Sequence, residues 1–350
     1  MLSSNSTRSI PSLKVYFSTV VRFAPQEQGG EIVLVDWQSK TVEARQPIYP
    51  TNPDMVDPNP RGNTRGGRGI VFLGENVIVA NYHTLKIYDR KLCHKRDVSH
   101  PLLAGLHETY SNSNDGRIWV SSTAIDAVIG IDIEKNIAFQ QYWPREMPSF
   151  QRKLNLIPLE IDKQADNRTR FLAKKHSDHP SHLHLNAVAS WGGEIYGLFH
   201  SFSAIANLDK GEIVVRDKSL SHPHNLLIDE DGTAMVSNTF GRAVHIYNLH
   251  TGSLVRTIKL TKFGLVRSLY IKNQFNYLMR GFLKKFFFPQ INAPRPVYFR
   301  GLDKIGDLLF VGISPATILC IDLKSGELVD SYSYSKDVNT CVHGLKVLAE

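Results

Sequence analysis

Short hydrophobic runs separated by glycine turns recur along this chain on one plan, which appears five times. The copies read RGIVFLGENVIVANYHTLKIYD from Arg68, HETYSNSNDGRIWVSSTAIDAVIGID from His107, HLNAVASWGGEIYGLFHSFSAIANLD from His184, HNLLIDEDGTAMVSNTFGRAVHIYN from His224 and RGLDKIGDLLFVGISPATILCID from Arg300. Each opens on a histidine or an arginine and continues as a short strand, a glycine turn, a second strand, a polar turn and a third strand ending in Asp or Asn. Runs such as SLVRTIKL, after a TG or SG turn, supply a fourth strand. Four short strands repeated in this way are the pattern of a propeller blade.

The two ends of the chain contribute one more blade. YFSTVVRF and GGEIVLVDWQSKTVEA match second, third and fourth strands, while VHGLKVLAE at the other end matches a first strand led by His343. The predicted fold is therefore all-β, a six-bladed β-propeller closed by both termini and occupying residues 1–350 as a single domain. Such closure leaves no open sheet edge. Two stretches, 142–180 and 262–298, do not follow the repeat and are predicted to be non-propeller insertions. Both follow a fourth strand, so both should emerge on one side.

Composition narrows the class. Hydrophobic residues at 42% and charged residues at 21% suit a soluble globular protein. Cys93, Cys320 and Cys341 form no CxxC pair, so neither a disulfide framework nor a zinc ribbon is expected. With no secretory leader pattern and no apolar run long enough to span a bilayer, a cytoplasmic location is expected. The net charge of +8 has a local origin, because Lys262, Arg267, Lys272, Arg280, Lys284, Lys285 and Arg295 all lie in the second insertion, which has no acidic residue. No general nucleic-acid partner is implied. In that insertion Leu265, Leu269, Phe275, Leu278, Phe282 and Phe286 recur at helical spacing. A helical lid packed on the propeller is the expected reading; the alternative is a peripheral contact with an anionic membrane surface or a protein partner.

Residues that open equivalent inner strands of a propeller converge at the rim of its central channel. By blade order they are His343, Arg68, His107, His184, His224 and Arg300. The turns between second and third strands open on the same face and carry Asn81, Ser122, His200, Asn238 and Ser314. Neutral imidazoles are the commonest metal ligands. Three of them with an open position suit zinc or iron, so His107, His184 and His224 are the candidate ligands of a divalent metal. Arg68, Arg300 and His343, with Asn81, Asn238 and His200, are the candidates for holding a small anionic ligand. Glu108, next to His107, could orient a ligand, though strand alternation is expected to turn it away from the channel. Without a metal, the same histidines could simply satisfy neighbouring backbone groups.

The segments Arg68-Gly69, His107-Glu108, His184-Leu185-Asn186, Pro223-His224 and Arg300-Gly301-Leu302, in this order, resemble those of an uncharacterised bacterial family of NHL-like six-bladed propeller proteins. The resemblance covers roughly residues 65–350 and implies the fold but no agreed activity. The family usually follows its Pro-His pair with a small residue and a second proline, where this chain has Asn225-Leu226. There is no GxSxG elbow, P-loop or dinucleotide-binding glycine pattern. Two classes of function stay open: a metal-dependent enzyme acting on a small anionic substrate as a lyase, hydrolase or oxidoreductase, and a non-enzymatic scaffold.

Overall fold

A computed structural model of the chain describes residues 12–52, 66–111, 116–168, 181–286 and 297–350. It has six four-stranded antiparallel sheets in a ring, as the repeats predict. Blades 2 to 6 span residues 70–98, 106–142, 185–216, 223–259 and 299–333. Blade 1 takes its three outer strands from Leu13–Val21, Glu31–Asp36 and Thr41–Pro47, and its inner strand from Thr340–Ala349 at the other end of the chain. That inner strand pairs with Leu13–Val21 from Leu13 opposite Ala349 to Val21 opposite Thr340. The ring is closed by both ends.

Apolar runs dominate the middle strands because both of their faces are buried. In Asn76–Asn81, Val77 and Val79 pack with Ile32 and Leu34 of blade 1, whereas Ile78 and Ala80 pack with Ile118 and Val120 of blade 3. Successive side chains on a strand point to opposite faces, so one strand serves two interfaces. Six apolar clusters result, one between each pair of neighbouring blades. Among the described residues the apolar core is divided among these interfaces.

The inner strands share an irregularity that shapes the channel. Between Leu106 and Thr109 three steps are matched by two on the partner strand, and the same excess of one residue occurs at Leu185–Ala187, His224–Leu226, Phe299–Leu302 and Val342–Leu345. In blade 2, Arg68 and Gly69 both bond Ala80. Each inner strand thus carries a bulge at its channel end, and a bulge re-aims side chains. Glycine fills three of these bulges. At Gly344 a Cβ would lie 2.0 Å from the Arg68 carbonyl oxygen, and at Gly69 it would lie 2.6 Å from the Thr109 nitrogen. Adjacent inner strands can approach this closely only without a side chain there.

The insertions differ in how they pack. In the first, helix α1 (Pro148–Leu154) buries Phe150 and Leu154 between blades 3 and 4. The second forms helix α2 (Gly264–Phe286), whose Val266 is buried against blades 5 and 6, with Leu269 packed beside it. Phe282 and Phe286, expected to pack on the propeller, are instead more than half exposed and lie against each other at 4.9 Å. Arg295 and residues 169–180 lie outside the described residues.

Candidate functional site at the channel mouth

The bulge in Leu106–Tyr110 brings both His107 and Glu108 to the channel, correcting the alternation argument that turned Glu108 away. Glu108 Oε1 lies 3.6 Å from His343 Nδ1 and 3.9 Å from His107 Nδ1. It accepts a hydrogen bond from Asn225 Nδ2 at 2.9 Å, and Asn225 Oδ1 accepts one from the Gly301 N–H. Donor atoms of His107, Glu108 and His343 all fall within 4.8 Å of one another, the one such trio of possible metal ligands among the described residues.

The three histidines named as candidate ligands stand on one wall. The His107 ring centroid is 5.4 Å from that of His224 and 6.4 Å from that of His184, and the His107–His343 separation is shorter at 4.6 Å. His224 Nδ1 is engaged by the His222 carbonyl and the Thr239 hydroxyl. His184 sits one residue ahead of its blade's bulge, at a left-handed φ of 50°, so that Leu185 occupies the position matching His107. Its backbone N–H, with that of Leu183, is held by the buried carboxylate of Asp126, which also pairs with Arg145 at 3.5 Å. His200 continues the wall, 4.7 Å from His184 and 5.6 Å from His224.

Arginines form the opposite flank. Arg68 and Arg300, both anticipated, are joined by Arg22, whose guanidinium lies 3.4 Å above the Tyr298 ring, with that of Arg300 5.2 Å from the same ring. Burial lowers Arg68 and Arg300 to about 10, and Arg22 opposes the charge of each, so both remain cationic at neutral pH. Burial pushes the Glu108 carboxyl up to about 8 against the pull of Lys346, Arg68 and Arg300. His107, His184, His224 and His343 are all held well below the usual imidazole range, first by burial and then by neighbouring imidazoles and arginines. They are neutral, the form that ligates metals.

Asn81 and Asn238, also anticipated at the rim, are engaged by backbone groups. Asn81 donates to the Gly66 carbonyl, while Asn238 donates to Ser219 and accepts from the backbone of Ser221 and Gly241. Their amides tie loops together.

No protein-family model matches the chain, and no curated protein does. Among solved structures, the chain is similar to a protein of unknown function from Bacteroides caccae at 9% identity and a TM-score of 0.59, covering 97% of this chain and 100% of that one. It is also similar, at 9% identity and a TM-score of 0.53, to a chain of the nidogen/laminin complex, with 96% and 98% covered. At such identity the likeness concerns the fold alone.

Sequence reasoning turned Glu108 away and missed Asn225 and Arg22. The first two occupy the bulge position that glycine takes in Arg68-Gly69, Arg300-Gly301 and His343-Gly344, a recurring pair visible in the repeats. Arg22 directly follows the strand Leu13–Val21, as His200 follows Glu194–Phe199. The repeat alignment could have named it.

Proposed function

We propose that the channel mouth binds a small anion, a carboxylate or phosphate, beside a divalent cation held by His107, Glu108 and His343. One observation carries this reading. Arg22 Nη1, Arg300 Nε, His107 Nδ1, both ring nitrogens of His343, Asn186 Oδ1 and His200 Nδ1 are buried with no hydrogen-bond partner within the protein. Buried polar atoms are almost always satisfied, so several of them at one channel mouth favour a polar guest.

The donor chemistry fits a cation. Two neutral imidazoles and the Glu108 carboxyl, which would give up its proton to a cation, suit zinc, or non-haem iron where further positions stay open. A bound cation would polarise an oxygen of the anion. Arg22, Arg68 and Arg300 would neutralise and orient the anion through their planar forks. Asn225 keeps Glu108 Oε1 in place, and Asp126 holds the backbone that presents His184. Such a site suits a metal-dependent lyase, hydrolase or oxidative enzyme acting on a small anionic substrate.

Calorimetric titration with inorganic phosphate and with a small carboxylate, with and without added zinc or iron(II), tests the reading. Saturable binding that weakens at least about tenfold in Arg22→Met and Arg68→Met is expected, since each removes a charge-assisted contact. Wild-type protein that takes up neither anion under any of these conditions contradicts it.

A further inference from the structure

Helix α2 has two apolar stripes, and only one meets the propeller. Val266 and Leu269 face blades 5 and 6, and on the same side the Tyr270 ring lies 4.2 Å from the Arg242 guanidinium. Winding at 3.6 residues per turn puts Ile271, Phe275, Leu278, Phe282 and Phe286 on the opposite side. Every one of these five is more than half exposed, and Met279 beside them is 44% exposed. The same winding sets Arg267 and Lys285 along one border of this outer stripe and Lys272 along the other. From Leu260 to Phe286 there is no acidic residue.

From this arrangement we infer that α2 docks in the interface of an anionic lipid bilayer, lying in the plane of the surface with its outer stripe among the acyl chains. An apolar stripe bordered on both sides by cations is the arrangement such helices use, because Lys and Arg stems run along the apolar face while their charges reach lipid phosphates. The absence of acidic residues in the segment favours a negatively charged surface over a neutral one. No helix among the described residues is long and apolar enough to cross a membrane, so docking is peripheral. The helix leaves the propeller after the fourth strand of blade 5, on the face where the inner strands begin. Docking would therefore turn the channel mouth towards the lipid, independently of whether that mouth holds a metal.

Co-sedimentation of the full chain with phosphatidylcholine vesicles, with and without phosphatidylglycerol, tests this. Wild-type protein is expected to bind the vesicles containing phosphatidylglycerol, less strongly as salt is raised. The triple variant Phe275→Ser, Leu278→Ser, Phe282→Ser should bind at least about a hundredfold more weakly, since each large apolar side chain contributes severalfold or more. Its melting temperature should match the wild type, because these side chains lie on the exposed stripe. Lys272→Glu with Lys285→Glu should remove the preference for phosphatidylglycerol. Wild-type protein that ignores anionic vesicles, or a triple variant that binds as well as wild type, overturns the inference. So does wild-type protein that self-associates through this stripe and leaves vesicles alone, since the stripe is then an interface between copies.

Discussion

Replacing Asp126 by alanine should unpin the segment that presents His182 to His184. The carboxylate is fully buried, lies 3.5 Å from the buried Arg145 guanidinium and accepts the N–H groups of Leu183 and His184 at 3.0 Å each. Removing one member of a buried ion pair costs about 3–5 kcal/mol, because the other charge is left uncompensated. Two buried N–H groups without acceptors add about 1–3 kcal/mol each, though such losses overlap at one site. A loss of about 5 kcal/mol follows. With an unfolding entropy of about 2.1 cal/mol/K per residue, a chain of 350 residues should melt roughly 7 °C lower. Urea denaturation and thermal melting measure this directly. Asp126→Asn should lose less, since one amide oxygen still accepts, and adding Arg145→Met to it should recover stability because no buried charge remains. An Asp126→Ala protein melting within about 2 °C of wild type would refute the reasoning.

Other outcomes follow from the same geometry. Burial, then the charges of His222 and Arg300, depress His200 from 6.5 to about 3. Its unfolded form therefore binds a proton that the folded form refuses, and stability present above pH 6.5 is lost as pH falls towards 3, at about 1.4 kcal/mol per pH unit. His200→Gln should flatten the pH dependence of chemical denaturation by that amount between pH 6 and 4, and an unchanged slope would refute it. Gly344→Ala should destabilise by several kcal/mol, because its Cβ would meet the Arg68 carbonyl at 2.0 Å and backbone there cannot easily yield; a melting curve like that of wild type contradicts the close packing of blades 1 and 2. Deleting residues 340–350 should expose the edge of Leu13–Val21 and produce aggregation, visible by light scattering. A truncated protein that stays monomeric and melts cooperatively argues against closure by both ends.

The fold was legible because a propeller strand is buried on both faces, which writes an apolar run such as VIVAN into the sequence, bounded by glycine and polar turns. Closure was legible for the same reason: VHGLKVLAE lacks three strands and the opening segment lacks one. The site was legible only in part. Equivalence between repeats brought Arg68, His107, His224, Arg300 and His343 to the channel, but the two-residue rule of a regular strand fails at a bulge. Glu108 therefore faces the channel next to His107, and His184 stands a residue ahead of its matching position. Helical spacing in 262–298 was equally visible, yet Leu269 and Phe282 belong to opposite sides of α2. Spacing identifies a helix; which stripe is covered depends on tertiary packing.

The most direct measurement is the metal content of the purified protein after incubation with zinc or iron(II) and removal of excess ion. About one equivalent per chain is expected in the wild type; because burial keeps both imidazoles neutral well below the usual range and pushes Glu108 up to about 8, it is protonation of Glu108 that should weaken binding first as pH falls. His107→Ala and His343→Ala should lose it while keeping the propeller's circular dichroism, and Arg68→Met should keep it. A wild-type chain that retains no metal, or alanine variants that retain as much as wild type, would contradict a cation held by His107, Glu108 and His343.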